Sequence, residues 1–213
     1  MAESGAPRIV ALTEGDLDRL IVERMLRGLG PKVLPLQGAP TKGKDAAIRL
    51  AVAELAAGAR RVVLALDING GTRESLRVEV ERRLASSSSK VCLWPVGLPD
   101  DPVLREYKLS RYMVDDLLVK ALHDPECLAT FARSEDKVRI PAGSNPWDAV
   151  KRLVKSARDD GYPVDSSKDL LRIFLALVRF GGSLTTLGER VIRCATGTAA
   201  DAIFDRPQGF ELP

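Results

Sequence analysis

The stretch Arg61-Val-Val-Leu-Ala-Leu-Asp67 constrains the fold more than any other part of the chain. Its apolar run, Val62 to Leu66, is too short for an ordinary helix and has no polar alternate face. Arg61 to Leu66 therefore reads as a strand buried on both sides, which is the environment of a central strand in a parallel sheet covered by helices. The flanking sequence agrees. Arg8 to Thr13, Lys32 to Leu36 and Val91 to Val96 read as further strands, while Asp16 to Gly28, Lys44 to Ala57 and Arg73 to Leu84 carry apolar residues at helical spacing. The serine run Ser86 to Ser89 reads as a turn. The order β-α-β-α-β-α-β predicts a four-stranded parallel, Rossmann-like sheet with right-handed crossovers.

From Val103 onward no strand pattern recurs. Helices are expected over Val103 to Leu122, Trp147 to Ala157, Lys168 to Val178 and Leu187 to Ala195, with a break at Arg139 to Pro146 where two prolines and a glycine fall together. The expected organisation is an α/β core over residues 1–102 and a helical C-terminal extension over 103–213, packed on or beside the core. No internal repeat is visible.

Composition narrows the class. The chain is 45% hydrophobic, enough for a packed core, and its 32 Lys and Arg nearly balance 29 Asp and Glu for a net charge of +3. A phosphate-bearing partner is compatible with that balance but not dictated by it. The longest apolar run is far short of the roughly 20 residues of a membrane span, and MAESGAPRIV lacks the apolar core of a signal peptide, so a cytoplasmic protein without membrane association is expected. Cys92, Cys127 and Cys194 are widely separated and suggest buried thiols rather than a zinc site or a disulfide framework. Two Asn and two Gln in a chain that is 29% charged is a thermophile-like bias.

In a parallel α/β sheet, ligands gather beyond the carboxyl ends of the strands. There the first strand offers Thr13, Glu14, Gly15 and Asp16, and the strand of Val62 to Leu66 offers Asp67, Ile68, Asn69, Gly70 and Gly71. Two acids converging at the ends of neighbouring strands repel one another unless a cation lies between them. Oxygen ligands of this kind favour Mg²⁺ or Mn²⁺. Glycines at both turns let a phosphate approach the backbone.

At these residues the sequence resembles the Toprim signature: an apolar strand ending in Glu14-Gly15, with Asp16 and Asp18 just beyond, then an apolar strand ending in Asp67-x-Asn69-Gly70. Topoisomerases, bacterial primases, recombination-repair proteins and OLD-family nucleases share that domain, and the resemblance covers roughly residues 8 to 97. The helical remainder, with Asp115-Asp116 in an apolar helix, looks most like small Toprim-like proteins related to OLD nucleases. The resemblance implies a general acid, base or metal ligand at Glu14 and a metal-binding pair at Asp67 and Asn69. The sequence departs from the family pattern at Asn69, which stands where the second acid is expected and removes one negative charge. OLD-like nucleases also use acids beyond this strand, and Asp115 or Asp116 could supply one, with Asp116 the expected additional metal ligand. Gly15, Gly70, Lys42, Lys44 and Lys168 are expected phosphate or nucleic-acid contacts.

The expectation is Mg²⁺- or Mn²⁺-dependent phosphodiester chemistry on DNA or RNA, by a nuclease useful in repair. Homo-oligomerisation is left open. Two alternatives stand beside it. One is a Toprim-like module that binds nucleic acid or phosphate without turnover. The other is a nucleotide hydrolase, because Gly38 to Asp45 nearly matches a phosphate-cradling GxxxxGK[ST] loop with Lys44 as its lysine, although Asp45 replaces the hydroxyl residue. His123, the only histidine, is expected to be structural, with its cation favouring a helix C-terminus.

Overall fold

A computed structural model describes residues 9–26, 43–135, 138–141 and 144–195. It divides into two compact units, one made by the described residues up to Val96 and one by those from Gly97.

The first unit is α/β. Its parallel sheet has the order β1 (Ile9–Leu12), β2 (Arg61–Asp67), β3 (Val91–Val96), so the strand expected to be central is central among the described residues. Leu12 pairs with Leu64, and Val62 to Asp67 pair in register with Val91 to Val96. The sheet has three described strands rather than four. The strand expected over Lys32 to Leu36 lies outside the described residues.

Strand alternation divides β2 between two buried faces. Val62, Leu64 and Leu66 join Val10 and Leu12 in a core completed by Ala47, Ile48 and Ala51 of α2 (Lys44–Ala56) and Leu76, Val80 and Leu84 of α3 (Arg73–Leu84). Val63 and Ala65, on the other face, are also buried, as are Ile21 and Val22 of α1 (Asp16–Leu26). The small alanines of α2 let its backbone lie close to the sheet. A capping box starts α3: Thr72 Oγ1 accepts the Ser75 N–H at 3.0 Å, and Ser75 Oγ accepts the Thr72 N–H at 2.8 Å. By contrast α2 begins after Gly43, which has φ 86° and no side chain to cap the helix. The serine stretch forms a 3-10 helix, Ala85–Lys90, rather than a simple turn.

The second unit is helical: α4 (Pro102–Glu106), α5 (Asp115–His123), α6 (Pro125–Ser134), α7 (Pro146–Asp159), α8 (Ser167–Leu177) and α9 (Leu184–Cys194). The single helix expected over Val103 to Leu122 is instead two, α4 and α5. Lys108 takes φ 49° between them, and Arg111 bridges to Ser166, so the chain leaves helical geometry to pair with a distant segment. Helix α6 was not anticipated. Trp147 of α7 stacks on Phe174 with centroids 4.8 Å apart and donates its indole N–H to the Leu122 carbonyl at 2.8 Å.

His123 is structural, but not as a cation. It stacks on Trp147 at 4.0 Å, and its Nδ1 lies 2.8 Å from the Val119 carbonyl, which can only accept a proton. Nδ1 must therefore carry the hydrogen, leaving Nε2 to accept from the Tyr107 hydroxyl at 3.1 Å. Burial lowers its pKa and keeps the imidazole neutral. Among the described residues no helix is long and apolar enough to cross a membrane.

Candidate functional site

Topology alone brings Glu14 to Asp67. Because β1 and β2 are parallel neighbours, the chain leaves both strands at the same sheet edge. Thr13, buried, donates its hydroxyl to the Gly15 carbonyl at 3.3 Å, and the same carbonyl accepts the Arg19 N–H at 3.0 Å, so the turn out of β1 runs directly into α1. Within that turn the half-buried Glu14 reaches across the strand pair, and Oε1 accepts the Asp67 N–H at 3.0 Å.

The Glu14 carboxyl lies above its usual range. Burial is the main cause, and it outweighs the lowering effects of the Asp67 N–H, the Lys44 ammonium and the Lys44 N–H; Asp45 adds a smaller upward push. The Lys44 amide also explains how α2 starts without a side chain at Gly43. Glu14, distant in sequence, lies at the uncapped amino end, where a carboxylate is favoured by the helix dipole.

Beyond Asp67 the β2–β3 ladder continues for one more bond, Ile68 N–H to the Val96 carbonyl at 3.0 Å. Asn69 then takes φ 55°, a left-handed conformation that asparagine tolerates better than most residues, and its Nδ2 donates to the Asp67 carbonyl at 3.4 Å. Gly70 is exposed at the outer edge of this turn, and Gly15 is half-buried at the other.

The remaining expected site residues are placed differently. Lys42 lies outside the described residues. Lys44 is committed to an ion pair: its Nζ is 2.6 Å from Glu79 Oε2 of α3. Next to it, Arg83 of α3 bonds Asp45 and stands 3.6 Å from Glu79, so the first two residues of α2 are tied to α3 by crossing ion pairs. The Arg83 guanidinium holds the Asp45 carboxyl below the ordinary range. Mixed charge on a helix commonly pairs at i to i+4 on a solvated face. The Glu79–Arg83 pair has that spacing, but both residues also reach across to α2.

Lys168 is exposed in the first turn of α8, in the second unit. Asp116, also in that unit, is fully buried and uses both oxygens there. Oδ2 accepts the Leu98 N–H at 2.9 Å and the Met113 N–H at 3.2 Å, while Oδ1 accepts the Ser167 hydroxyl. Burial, against these hydrogen bonds, pushes its carboxyl up to about 6. The structure thus gives Asp116 a joining role among the segment after β3, the start of α5 and the start of α8. Its neighbour Asp115 is also buried, and Oδ1 of Asp115 has no hydrogen-bond partner among the described residues.

Among the described residues no three His, Cys, Asp or Glu side chains form a ready-made metal-binding group. Carboxylates of the kind Glu14 and Asp67 carry are the donors Mg²⁺ commonly takes, one or two at a time, with water and substrate phosphate completing its shell. No family model, curated protein or solved structure matches the chain.

Proposed function

We propose that the first unit is a Toprim-like domain, completed by a fourth strand, and that the protein is a Mg²⁺- or Mn²⁺-dependent nuclease acting on nucleic-acid phosphodiesters. One observation carries this reading. Glu14 and Asp67 sit at the ends of adjacent parallel strands, close enough for the Glu14 carboxylate to accept the Asp67 amide proton. In this reading Asp67 and Glu14 hold the ion, Asn69 contributes at most a neutral oxygen, and the exposed Gly70 turn leaves room for a phosphate. The bound ion would supply charge stabilisation on the phosphate and a more acidic water. If Glu14 instead stands off the ion, it is the group placed to take up or release a proton near the reacting phosphate.

A second reading, a module that binds nucleic acid or phosphate without turnover, is favoured by Asn69. Its left-handed backbone and its amide turned onto the Asp67 carbonyl are what a plain turn residue would show. The nucleotide-hydrolase reading loses support because Lys44 is engaged by Glu79. Cleavage of plasmid, single-stranded DNA and RNA with Mg²⁺ or Mn²⁺ separates the first two. The nuclease cleaves, and Glu14→Gln or Asp67→Asn abolishes cleavage while the variants remain folded. A pure wild type that binds nucleic acid but cleaves none of these substrates would select the binding module.

A further inference from the structure

Two loops of the second unit are bonded to each other, and they hold an aromatic ring out in water. One, residues 107–114, joins α4 to α5; the other, residues 160–166, joins α7 to α8. A single nitrogen of Arg158, Nη2, donates to the Tyr107 carbonyl at 2.7 Å, to the Lys108 carbonyl at 3.5 Å and to the Val164 carbonyl. The Asp165 carbonyl accepts the Ser110 and Arg111 N–H groups at 3.1 and 3.0 Å, and Arg111 bridges to Ser166. The second loop is also tied back to α7, through Gly161 N–H to the Arg158 carbonyl at 3.0 Å and Tyr162 N–H to the Ala157 carbonyl at 2.8 Å. These bonds offset the backbone entropy that a fixed loop gives up. Tyr162, which they hold in place, is 68% exposed, and its side chain makes no hydrogen bond or ring contact among the described residues.

An exposed aromatic is ordinary on a protein surface. One carried by an immobilised loop is preorganised for stacking, because its position is set before a ligand arrives. Cations accompany it. Lys108 and Arg111 lie in the first loop and Lys168 two residues beyond Ser166; all three are exposed, and none is in an ion pair among the described residues. The acids nearby limit the positive charge. Asp159 and Asp160 are exposed just before Tyr162, Asp165 is half-buried, and the Asp169 carboxylate is engaged by Ser166 and Arg172. So modest a cation count suits a duplex poorly, since its backbone carries one charge per about 1.7 Å. It suits a single strand, which offers an unpaired base to a ring and a few phosphates to the lysines and arginine. We propose that the bonded loops are a platform for single-stranded nucleic acid, on which Tyr162 stacks one base and Lys108, Arg111 and Lys168 take neighbouring phosphates. The inference rests on the nucleic-acid part of the reading above and not on its metal part.

Fluorescence anisotropy of the full chain with a short labelled oligothymidylate, in EDTA, tests it. The wild type should bind with a log–log salt slope of about −2, the value for three single-strand phosphate contacts. Tyr162→Ala should weaken binding roughly tenfold or more, and Tyr162→Phe should stay within about twofold of wild type, because stacking needs the ring and not the hydroxyl. Lys108→Asn, a residue that tolerates the φ of 49° at this position, should flatten the slope by about 0.7. A strand of abasic sites should bind the wild type as weakly as the intact strand binds Tyr162→Ala, and Tyr162→Ala should lower its affinity no further. Thermal unfolding of the variants should match the wild type, since the side chains removed are exposed. No binding of the strand, wild-type affinity in Tyr162→Ala, or duplex bound more tightly than single strand would each overturn the platform. Tyr162-dependent binding by a protein that cleaves nothing would support the platform and refute the nuclease. Metal-dependent cleavage by a protein whose binding ignores Tyr162→Ala would refute the platform and leave the nuclease intact.

Discussion

Replacing Asp116 by asparagine and by alanine should separate its joining role from any role in metal binding. In the structure the carboxylate is fully buried, takes two backbone N–H groups on Oδ2 and accepts the Ser167 hydroxyl on Oδ1. Asparagine can keep every bond. Its carbonyl takes both N–H groups, its amide faces Ser167 Oγ, and the hydroxyl rotates from donor to acceptor. It also removes a buried charge whose carboxyl is pushed up to about 6 from an ordinary 3.8, a cost of roughly 3 kcal/mol at neutral pH. Alanine relieves the same charge but orphans the Leu98 and Met113 amides at about 1–3 kcal/mol each and leaves a small cavity. Alanine should therefore be destabilising by about 1–3 kcal/mol net, and asparagine neutral or stabilising.

The pH dependence follows from the same shift. A folded pKa above the unfolded one means that the folded state takes up the proton first. The group's contribution is then complete below the unfolded pKa and is lost as pH rises through about 6. Between pH of about 7.5 and about 5, Asp116 should add about 1.4 kcal/mol to the wild type that the asparagine variant does not gain. Urea unfolding at the two pH values measures this. Asparagine as damaging as alanine, or a gap between wild type and asparagine that does not change with pH, would refute the reasoning.

Other expectations concern single residues. His123, kept neutral by burial, should titrate below 6.5 by proton NMR, so that its contribution to stability is present above the unfolded pKa and lost as pH falls through the folded one. Its sign opposes that of Asp116 over a similar window, so variants and not the wild type alone must be compared; a midpoint at or above 6.5 would contradict the buried neutral tautomer. Asn69→Asp adds an anionic oxygen beside Asp67 and should tighten Mn²⁺ binding by several-fold in calorimetry, whereas unchanged or weaker binding would mark Asn69 as a turn residue only.

The parts of the fold that sequence reveals are those governed by local period. Arg73–Leu84 and Val91–Val96 have the boundaries their patterns predict, and Arg61–Asp67 exceeds its expected range by the one acid that ends it. The pairing of β1 with β2 was also legible, because a buried apolar run of this kind belongs at the centre of a parallel sheet. The helical part was harder to divide. Leu104, Tyr107, Val114, Leu117 and Leu118 keep a spacing compatible with one helix, and only the non-local bridge of Arg111 to Ser166 and the left-handed Lys108 show why the chain breaks there.

The candidate site divides in the same way. Glu14 and Asp67 could be found because strand ends of a parallel sheet converge. The Lys44–Glu79 pair spans 35 residues and the Ser167–Asp116 bond 51, and neither has a sequence signal beyond the presence of complementary groups. An aspartate in an apolar helix reads from sequence as a metal ligand or as part of a solvated face, and only the buried donors around Asp116 show that it is an internal hydrogen-bond acceptor.

The central claim is that a divalent cation belongs between Glu14 and Asp67, and Mn²⁺ anomalous scattering from a soaked crystal tests it most directly. The account predicts a peak within coordination distance of both carboxylates, about 2–2.3 Å from their oxygens, that disappears in Asp67→Asn. A Mn²⁺ peak that avoids both residues, or one at this corner that persists in Asp67→Asn, would contradict it.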